Sequence, residues 1–148
     1  MDAQTARFVE KMGRYFEADG IPRIGGRLYG YLILQDQPRA LEDLAGALAV
    51  SKTSISTNAR LLEQWGLIER VTQPGDRRDF YEVAPSSTRQ LELRLARIRQ
   101  LTELLGEGCS VPAAEKPAVR RRLQAMREST SEIAEQMGGI LERWRRGN

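Results

Sequence analysis

Residues 41–62 read LEDLAGALAVSKTSISTNARLL, and this stretch decides the fold. Apolar residues recur at helical spacing on both sides of a short break, which predicts one helix over about 41 to 48 and a second over about 52 to 65. Ser51 suits the N-cap of the second helix, because its hydroxyl can accept a hydrogen bond from a free amide of the following turn. Two short helices joined by a tight turn are typical of a helix-turn-helix.

The second helix has the composition expected of a helix that reads DNA. Its inner face is predicted to bury four side chains: Ile55, Ala59, Leu62 and Trp65. Its outer face and N-cap supply the candidate DNA-binding residues, which are Ser51, Lys52, Thr53, Ser54, Ser56, Thr57, Asn58 and Arg60. Hydroxyls bond phosphates or bases, asparagine reads adenine, and arginine reads guanine or holds a phosphate. The alternative is an ordinary solvated helix face.

Beyond Gly66 the apolar period changes from helical to alternating. This pattern predicts two strands, over 67–72 and 80–83, joined by the loop QPGDRRD at 73–79. The Pro-Gly pair in that loop marks a turn, so the strands form a hairpin with its charged residues at the tip.

The charged loop suits a DNA-binding wing. Arg77 and Arg78 are placed to lie along a minor groove, where a strong negative potential attracts arginine. Asp76 beside them can pair with an arginine and fix the shape of the loop. Ordinary surface charges on a hairpin are the alternative, but the order helix-turn-helix, then hairpin, favours a wing.

Helical periodicity also covers both ends of the chain. It predicts helices over about 3 to 18 and 22 to 35, and two more after residue 87 that are separated by a break at 106–112. In the last helix, residues spaced alternately four and three positions apart form a mostly apolar seam, which requires a partner helix. The members of this seam are Val119, Leu123, Met126, Thr130, Ile133, Met137, Ile140 and Trp144. A small winged helix cannot bury all these flanking helices, which predicts a homodimer. The alternative is a monomer whose last two helices pack on each other.

Composition excludes several classes of function. The chain has 148 residues with a single cysteine, Cys109, and no histidine. A disulfide framework, a cysteine-cluster zinc site and Ser-His or Cys-His catalytic pairs are therefore excluded. There is no phosphate-binding glycine motif, so we predict no enzyme, no cofactor and no metal. Neither a secretory signal nor a membrane-spanning run is visible, which predicts a cytoplasmic protein without membrane contact.

The net charge of +3 is unevenly distributed. Residues 1–50 carry 6 basic and 7 acidic groups, residues 51–84 carry 5 and 5, and residues 85–148 carry 12 and 8. The basic excess thus lies outside the segment assigned to DNA. This neutral segment leaves open an alternative function, a winged-helix protein-protein interaction module without DNA binding.

Several motifs in order resemble those of a known family. They are LAGAL at 44–48, SKTSIS at 51–56, LEQWGLIER at 62–70 and GDRR at 75–78. In these motifs the chain resembles the MarR type of winged helix-turn-helix regulators, the multiple-antibiotic-resistance family. The stretch NARLL at 58–62 and the Phe80-Tyr81 pair are similar to its GbsR-like branch.

The resemblance implies a DNA-binding transcriptional regulator, commonly a repressor, that binds double-stranded DNA at a pseudo-palindromic operator as a homodimer. It implies a mainly α fold, of the α+β winged-helix type. The whole chain, 1–148, would be a single MarR-like domain, with a winged helix-turn-helix core at 22–84 and dimerisation helices at 1–19 and 87–146. Arg78 matches the arginine that enters the minor groove, and Asp76 matches the aspartate that braces it.

The resemblance also admits a small-molecule effector that relieves DNA binding. Candidate ligand-binding residues are Tyr15, Phe16, Tyr29, Tyr31 and Trp65. In the GbsR-like branch such rings would suit a quaternary ammonium compound, because its cation is attracted to aromatic faces. Aromatic residues at helical spacing are more often part of a core than of a pocket, and that alternative stays open.

Overall fold

The computed structural model describes residues 1–147 and divides into two compact units, the first ending at Ser87 and the second beginning at Thr88. The elements of the first unit are α1 (Ala3–Ala18), α2 (Arg23–Ile33), β1 (Arg39–Ala40), α3 (Leu41–Leu48), α4 (Lys52–Gln64), β2 (Ile68–Val71) and β3 (Phe80–Val83). Those of the second are α5 (Thr88–Gly108), a short 3-10 helix (Pro112–Glu115) and α6 (Pro117–Arg146). This mainly helical chain with a small antiparallel sheet confirms the predicted winged-helix fold class.

The core of the first unit lies where α2, α3 and α4 meet. Leu28 of α2, Leu44 and Leu48 of α3, and Ile55 and Leu62 of α4 are all fully buried. Residues three, four or seven positions apart share one face of a helix, so each helix presents a continuous apolar stripe to the others. Burying one such side chain contributes about 1.5–3 kcal/mol, which is enough for a few of them to fix the helix-turn-helix against α2.

The end of α4 differs from the sequence-based expectation. Trp65 was expected to be buried, but its side chain is 44% exposed. The helix ends at Gln64 and Trp65 is its C-cap, so the tryptophan no longer follows the buried stripe. Gly66 then adopts a positive φ of 68°, which starts the turn into β2.

The sheet has three antiparallel strands in the order β1-β3-β2. Ile68 pairs with Val83 and Val71 with Phe80, which confirms the predicted hairpin. The strand β1 was not predicted, because its two residues are too few to show an alternating pattern. It pairs Arg39 with Tyr81 and Ala40 with Phe80, and thereby attaches the start of β3, next to the wing loop, to the start of α3.

The helices α1 and α2 approach each other through glycine. A Cβ added at Gly26 would lie 2.7 Å from the carbonyl oxygen of Met12, and one at Gly30 would lie 2.7 Å from the Met12 Cβ. Real Cβ atoms essentially never approach so closely, so only glycine permits this packing. The glycines that lower the intrinsic helix propensity of α2 are therefore required by its tertiary contacts. Beside this packed face, α1 exposes Phe8 and Tyr15.

In the second unit α5 and α6 run antiparallel. Glu92 near the start of α5 pairs with Arg145 near the end of α6, and Leu95, Ala134 and Leu141 form a small buried core. Only part of the predicted seam is covered by α5, since large apolar side chains of α6 remain exposed: Met126, Ile133 and Trp144. Within residues 1–147, no helix has the length and apolar character needed to cross a membrane.

Candidate nucleic-acid interface

The turn between α3 and α4 sets where the recognition helix begins. Ala49 adopts a left-handed φ of 54°, a conformation that side chains rarely take, and it reverses the chain direction after α3. The Ser51 Oγ accepts a hydrogen bond of 3.1 Å from the Ser54 amide and donates one of 2.9 Å to the Ser54 Oγ. The predicted N-cap is thus present. Both hydroxyls are engaged within the cap, which limits their freedom to bind DNA.

One side of α4 is polar and largely exposed. We call it the recognition face; its members are Lys52, Thr53, Ser56, Thr57 and Arg60. All are exposed except Ser56, which is half-buried, and they lie opposite the buried Ile55 and Ala59. The Lys52 Nζ lies 3.7 Å from Glu42 Oε1 at the start of α3. The face therefore offers hydroxyl donors and two cations, the groups that contact phosphates and base edges.

Asn58 does not belong to the recognition face, which corrects the prediction that it could read adenine. Its side chain is only 7% exposed, and its Nδ2 donates a 2.8 Å hydrogen bond to the Ser54 carbonyl. The reason is helical periodicity, since position 58 lies three residues after the buried Ile55 and four before the buried Leu62. The Asn58 Oδ1 is buried and has no hydrogen-bond partner within residues 1–147.

The wing loop is organised around one ion pair. Asp76 accepts hydrogen bonds from the Arg78 backbone amide at 2.9 Å, from Arg78 Nε at 3.0 Å and from Arg78 Nη2 at 2.7 Å. These hydrogen bonds lower the pKa of Asp76 to about 2. The Arg78 guanidinium also lies 5.1 Å from the centre of the Phe80 ring, while Arg77 is exposed. The structure thus brings Asp76 and Arg78 together, as the sequence predicted.

The start of α3 links the recognition face to the wing loop, since the Leu41 amide donates a 3.0 Å hydrogen bond to the Asp79 carbonyl. Glu42 pairs with Lys52 of the recognition face. The pKa of Arg78 is raised, chiefly by its hydrogen bonds to Asp76 and to a smaller degree by the charges of Asp43 and Glu42. The N-terminal end of α3 therefore contacts both the start of α4 and the end of the wing loop.

The five aromatic residues predicted to line an effector pocket are not gathered at one place. Tyr15 and Tyr29 each pack edge-on against Phe16, with ring centres 5.3 and 5.4 Å apart. Phe16 belongs to the core of the first unit, and Tyr29 and Tyr31 both pack against that core, while Trp65 is exposed at the end of α4. A cavity of about 200 Å³ lies elsewhere, between the end of α2 and β3, and none of the five lines it.

Sequence reasoning missed a polar connection behind the helix-turn-helix. The Arg27 Nη2 of α2 donates a 3.1 Å hydrogen bond to the Leu48 carbonyl at the end of α3. The Arg27 Nε lies 2.6 Å from Glu10 Oε1 of α1. A hydrogen bond from Arg23, and then the charges of Arg27 and Arg23, hold the pKa of Glu10 below its ordinary value. Nothing in the local pattern of the sequence indicates this connection, because its members are far apart in the chain.

Two family models match the chain. The MarR family model covers residues 31–79, and the model of MmpR5-like MarR family transcriptional regulators covers residues 86–147. The first match contains the helix-turn-helix and the whole wing loop, while the second contains α5 and α6.

Individual relatives give the same result. The HTH-type transcriptional regulator MmpR5 of Mycobacterium tuberculosis is 42% identical over 123 residues, which are 82% of this chain and 74% of that protein. A crystal structure of a transcriptional regulator is 35% identical with a TM-score of 0.86, over 97% of this chain and 99% of that one. The HTH-type transcriptional repressor OpcR of Bacillus subtilis is 31% identical over 75 residues, 51% of this chain and 40% of that protein. The chain belongs to the MarR family of winged-helix, DNA-binding transcriptional regulators.

Proposed function

We propose that this regulator is a homodimeric repressor that inserts α4 into the major groove and the wing into an adjacent minor groove of a pseudo-palindromic operator. The observation that carries the proposal is that the recognition face and the wing loop both contact the start of α3, through the Lys52–Glu42 pair and the hydrogen bond from the Leu41 amide to the Asp79 carbonyl. An α-helix with its side chains is about 10–12 Å wide and fits a major groove of about 12 Å. Arginine suits a narrow minor groove beside it.

The proposal assigns a different role to each part of the site. Thr53, Ser56 and Thr57 contact bases or phosphates along the first two turns of α4, while Lys52 and Arg60 contribute charge before and after them. Arg77 and Arg78 belong to the wing, where Asp76 limits the motion of Arg78 by binding two of its side-chain nitrogens. Holding an arginine in place before DNA arrives reduces the entropy lost on binding.

Exposed apolar surface on the second unit supports a homodimer. Leu101 and Leu104 of α5 are 44% and 54% exposed, and Ile133 and Trp144 of α6 are 47% and 44% exposed. Contact with a second copy would remove these side chains from water, and a twofold axis would place two recognition helices about 34–36 Å apart. Sedimentation velocity at several concentrations tests this point. A monomer at micromolar concentration would contradict it.

Repression and the GbsR-like branch stay predictions. Repression follows from the family resemblance, and one relative, OpcR, is itself named a repressor. A reporter gene placed behind the bound operator tests it directly. Reduced expression on adding the regulator supports repression, and increased expression contradicts it.

A titration by fluorescence anisotropy tests the DNA contact. The wild-type protein first selects a preferred duplex from a randomised pool, and its affinity for this selected duplex is compared with that for a scrambled duplex. Arg77→Ala and Arg78→Ala are each expected to weaken binding about tenfold and to reduce the slope of log K against log salt by about 1 per lost phosphate contact. Arg122→Ala, which removes an exposed arginine of α6, is the matched control and should change neither quantity. Failure of the wild type to enrich any sequence would instead favour the protein-interaction module.

A further inference from the structure

The helix-turn-helix is attached to α2 by two contacts in addition to its apolar core: one hydrogen bond, and the packing of one polar side chain on a glycine. The first is the 3.1 Å hydrogen bond from Arg27 Nη2 to the Leu48 carbonyl. Leu48 is the last residue of α3, where carbonyls have no partner within the helix. The bond therefore fixes α2 to the turn that determines the direction of α4.

Glu10 of α1 determines where the Arg27 side chain lies. Its Oε1 is 2.6 Å from Arg27 Nε, and its Oε2 accepts a 2.8 Å hydrogen bond from Arg23 Nη2. The Arg27 side chain is 23% exposed. The contact of Arg27 Nε with Glu10 is an ion pair without a hydrogen bond. A half-buried guanidinium beside a carboxylate has few other positions available, and one of its two terminal nitrogens, Nη2, reaches the Leu48 carbonyl.

The second contact joins α2 directly to the recognition helix. A Cβ added at Gly25 would lie 3.0 Å from Asn58 Oδ1, so the Asn58 amide packs directly on the glycine backbone. Asn58 Oδ1 is buried and has no hydrogen-bond partner among the described residues. A buried amide oxygen without a partner costs free energy, so this asparagine is unfavourable for stability alone. Its amide group nonetheless fixes the distance between α2 and α4.

We propose that Arg27 and Asn58, together with Gly25 and the Leu48 carbonyl, form an α2 clamp that determines DNA specificity without touching DNA. The inference rests on the proposed function. Arg27 and Asn58 are positioning residues, because they set the direction and depth at which the recognition face projects from the unit.

Specificity is the quantity that this arrangement controls most directly. Hydrogen bonds to base edges need donor and acceptor within a few tenths of an ångström and a narrow range of angles. Contacts of lysine or arginine with phosphates tolerate small displacements, because these side chains are long and their attraction to the backbone is electrostatic. A small rotation of α4 therefore reduces discrimination between sequences and leaves non-specific affinity almost unchanged.

The test compares Arg27→Met with Arg23→Met in the full-length protein. Both substitutions remove one arginine that pairs with Glu10 from the same helix, but only Arg27 also bonds the Leu48 carbonyl. Anisotropy titrations give the dissociation constants for the selected duplex and for a scrambled duplex of equal composition, and their ratio measures specificity. Arg27→Met is expected to lower this ratio about tenfold or more, as a lost base contact would, with scrambled-duplex affinity and salt slope unchanged. Arg23→Met should keep the ratio within about twofold of wild type.

Arg27→Lys covers the case in which Arg27→Met does not fold. Lysine keeps a cation beside Glu10 but has a single nitrogen, which cannot also bond the Leu48 carbonyl in the same way. It should therefore lower the ratio by an intermediate amount.

Three outcomes decide the matter. A ratio reduced by the Arg27 variants alone supports the α2 clamp. Equal weakening toward both duplexes, or an unchanged ratio, overturns the clamp, because a loss of stability reduces the active fraction without changing discrimination. A wild-type protein that does not distinguish the two duplexes shows instead that the proposed function has failed.

Discussion

Two carboxylate-arginine pairs of the first unit have similar geometry but opposite surroundings. In the wing, Arg78 Nη2 lies 2.7 Å from Asp76 Oδ2, and the arginine side chain is 49% exposed. Between α1 and α2, Arg27 Nε lies 2.6 Å from Glu10 Oε1, and the arginine side chain is 23% exposed. The wing pair is exposed to solvent, whereas Arg27 of the inner pair also donates a hydrogen bond to the Leu48 carbonyl of the helix-turn-helix.

This difference separates two structural roles of ion pairs in the first unit. An exposed pair contributes little to stability, because water and salt screen it. Its value in the wing is to hold a cation in one position on a loop without a core of its own. The inner pair is partly shielded from water and joins three helices, so its loss should affect both the stability of the unit and the direction of α4.

The largest expected effect comes from separating α1 from α2, which carry the inner pair. A Cβ at Gly26 would lie 2.7 Å from a backbone oxygen, and backbone cannot move aside cheaply. Gly26→Ala should lower the free energy of unfolding by about 1–3 kcal/mol, measured by urea denaturation. Gly46→Ala in α3 is the control, since a Cβ there meets nothing within 4 Å. This control should raise the free energy of unfolding by about 0.5–1 kcal/mol. Equal effects of the two substitutions would contradict the packing of α1 on α2.

The next largest effect on stability is expected at Glu10, and it should exceed the effect of substituting Asp76. Glu10→Gln leaves the half-buried Arg27 without its charged partner and should lower the free energy of unfolding by about 1 kcal/mol. Asp76→Asn should leave the urea midpoint unchanged, because the wing pair is exposed. Equal loss of stability in both variants would show that the distinction between the two pairs is wrong.

The elements that sequence predicted well have an internal period. The bounds of α1 and α3 match the predicted 3–18 and 41–48, and the hairpin follows from alternating residues at 67–72 and 80–83. Each of these signals is local, since the apolar residues that reveal an element are only a few positions apart. Two residues of β1 are too few for such a signal.

The site was predicted less completely, for two physical reasons. Asn58 was assigned to the edge of the exposed face by its chemistry, although the positions of Ile55 and Leu62 on either side favour burial. The bond between Arg27 and the Leu48 carbonyl joins residues 21 positions apart and depends on the angle between two helices. Neither charge nor periodicity specifies such an angle. The exposed part of the predicted set, from Lys52 to Arg78, remains a proposal that DNA titration must test.

A smaller effect is expected from substituting Glu42, the carboxylate that pairs with Lys52. Glu42 pairs with Lys52 and lies close enough to Arg78 to contribute to its raised pKa. Removing this charge frees Lys52 for phosphate and reduces repulsion of DNA, so Glu42→Gln should strengthen binding to both duplexes about two- to fivefold at low salt. Asp19→Asn, at an exposed position after α1, is the control for net charge alone. Weaker binding by Glu42→Gln would mean that Glu42 positions Lys52 instead of competing with DNA for it.

The smallest expected effect is that of pH, because the wing pair should not change its charge in the physiological range. Its hydrogen bonds to Arg78 lower the pKa of Asp76 from 3.8 to about 2, so they favour the carboxylate. The contribution of this pair to the folded state is therefore complete above the ordinary pKa and is lost only as the pH falls toward 2. The sequence also contains no histidine, the side chain whose ordinary pKa lies between 5 and 8. DNA affinity should accordingly stay constant from about pH 5.5 to 7.5 at fixed ionic strength.

A carboxyl NMR titration of Asp76 tests whether Arg78 causes the lowered pKa, since Arg78→Ala should return the Asp76 pKa toward 3.8. A pKa of 3.8 for Asp76 in the wild-type protein would show that the wing pair is not formed in solution. In that case only the inner pair, between Glu10 and Arg27, would exist.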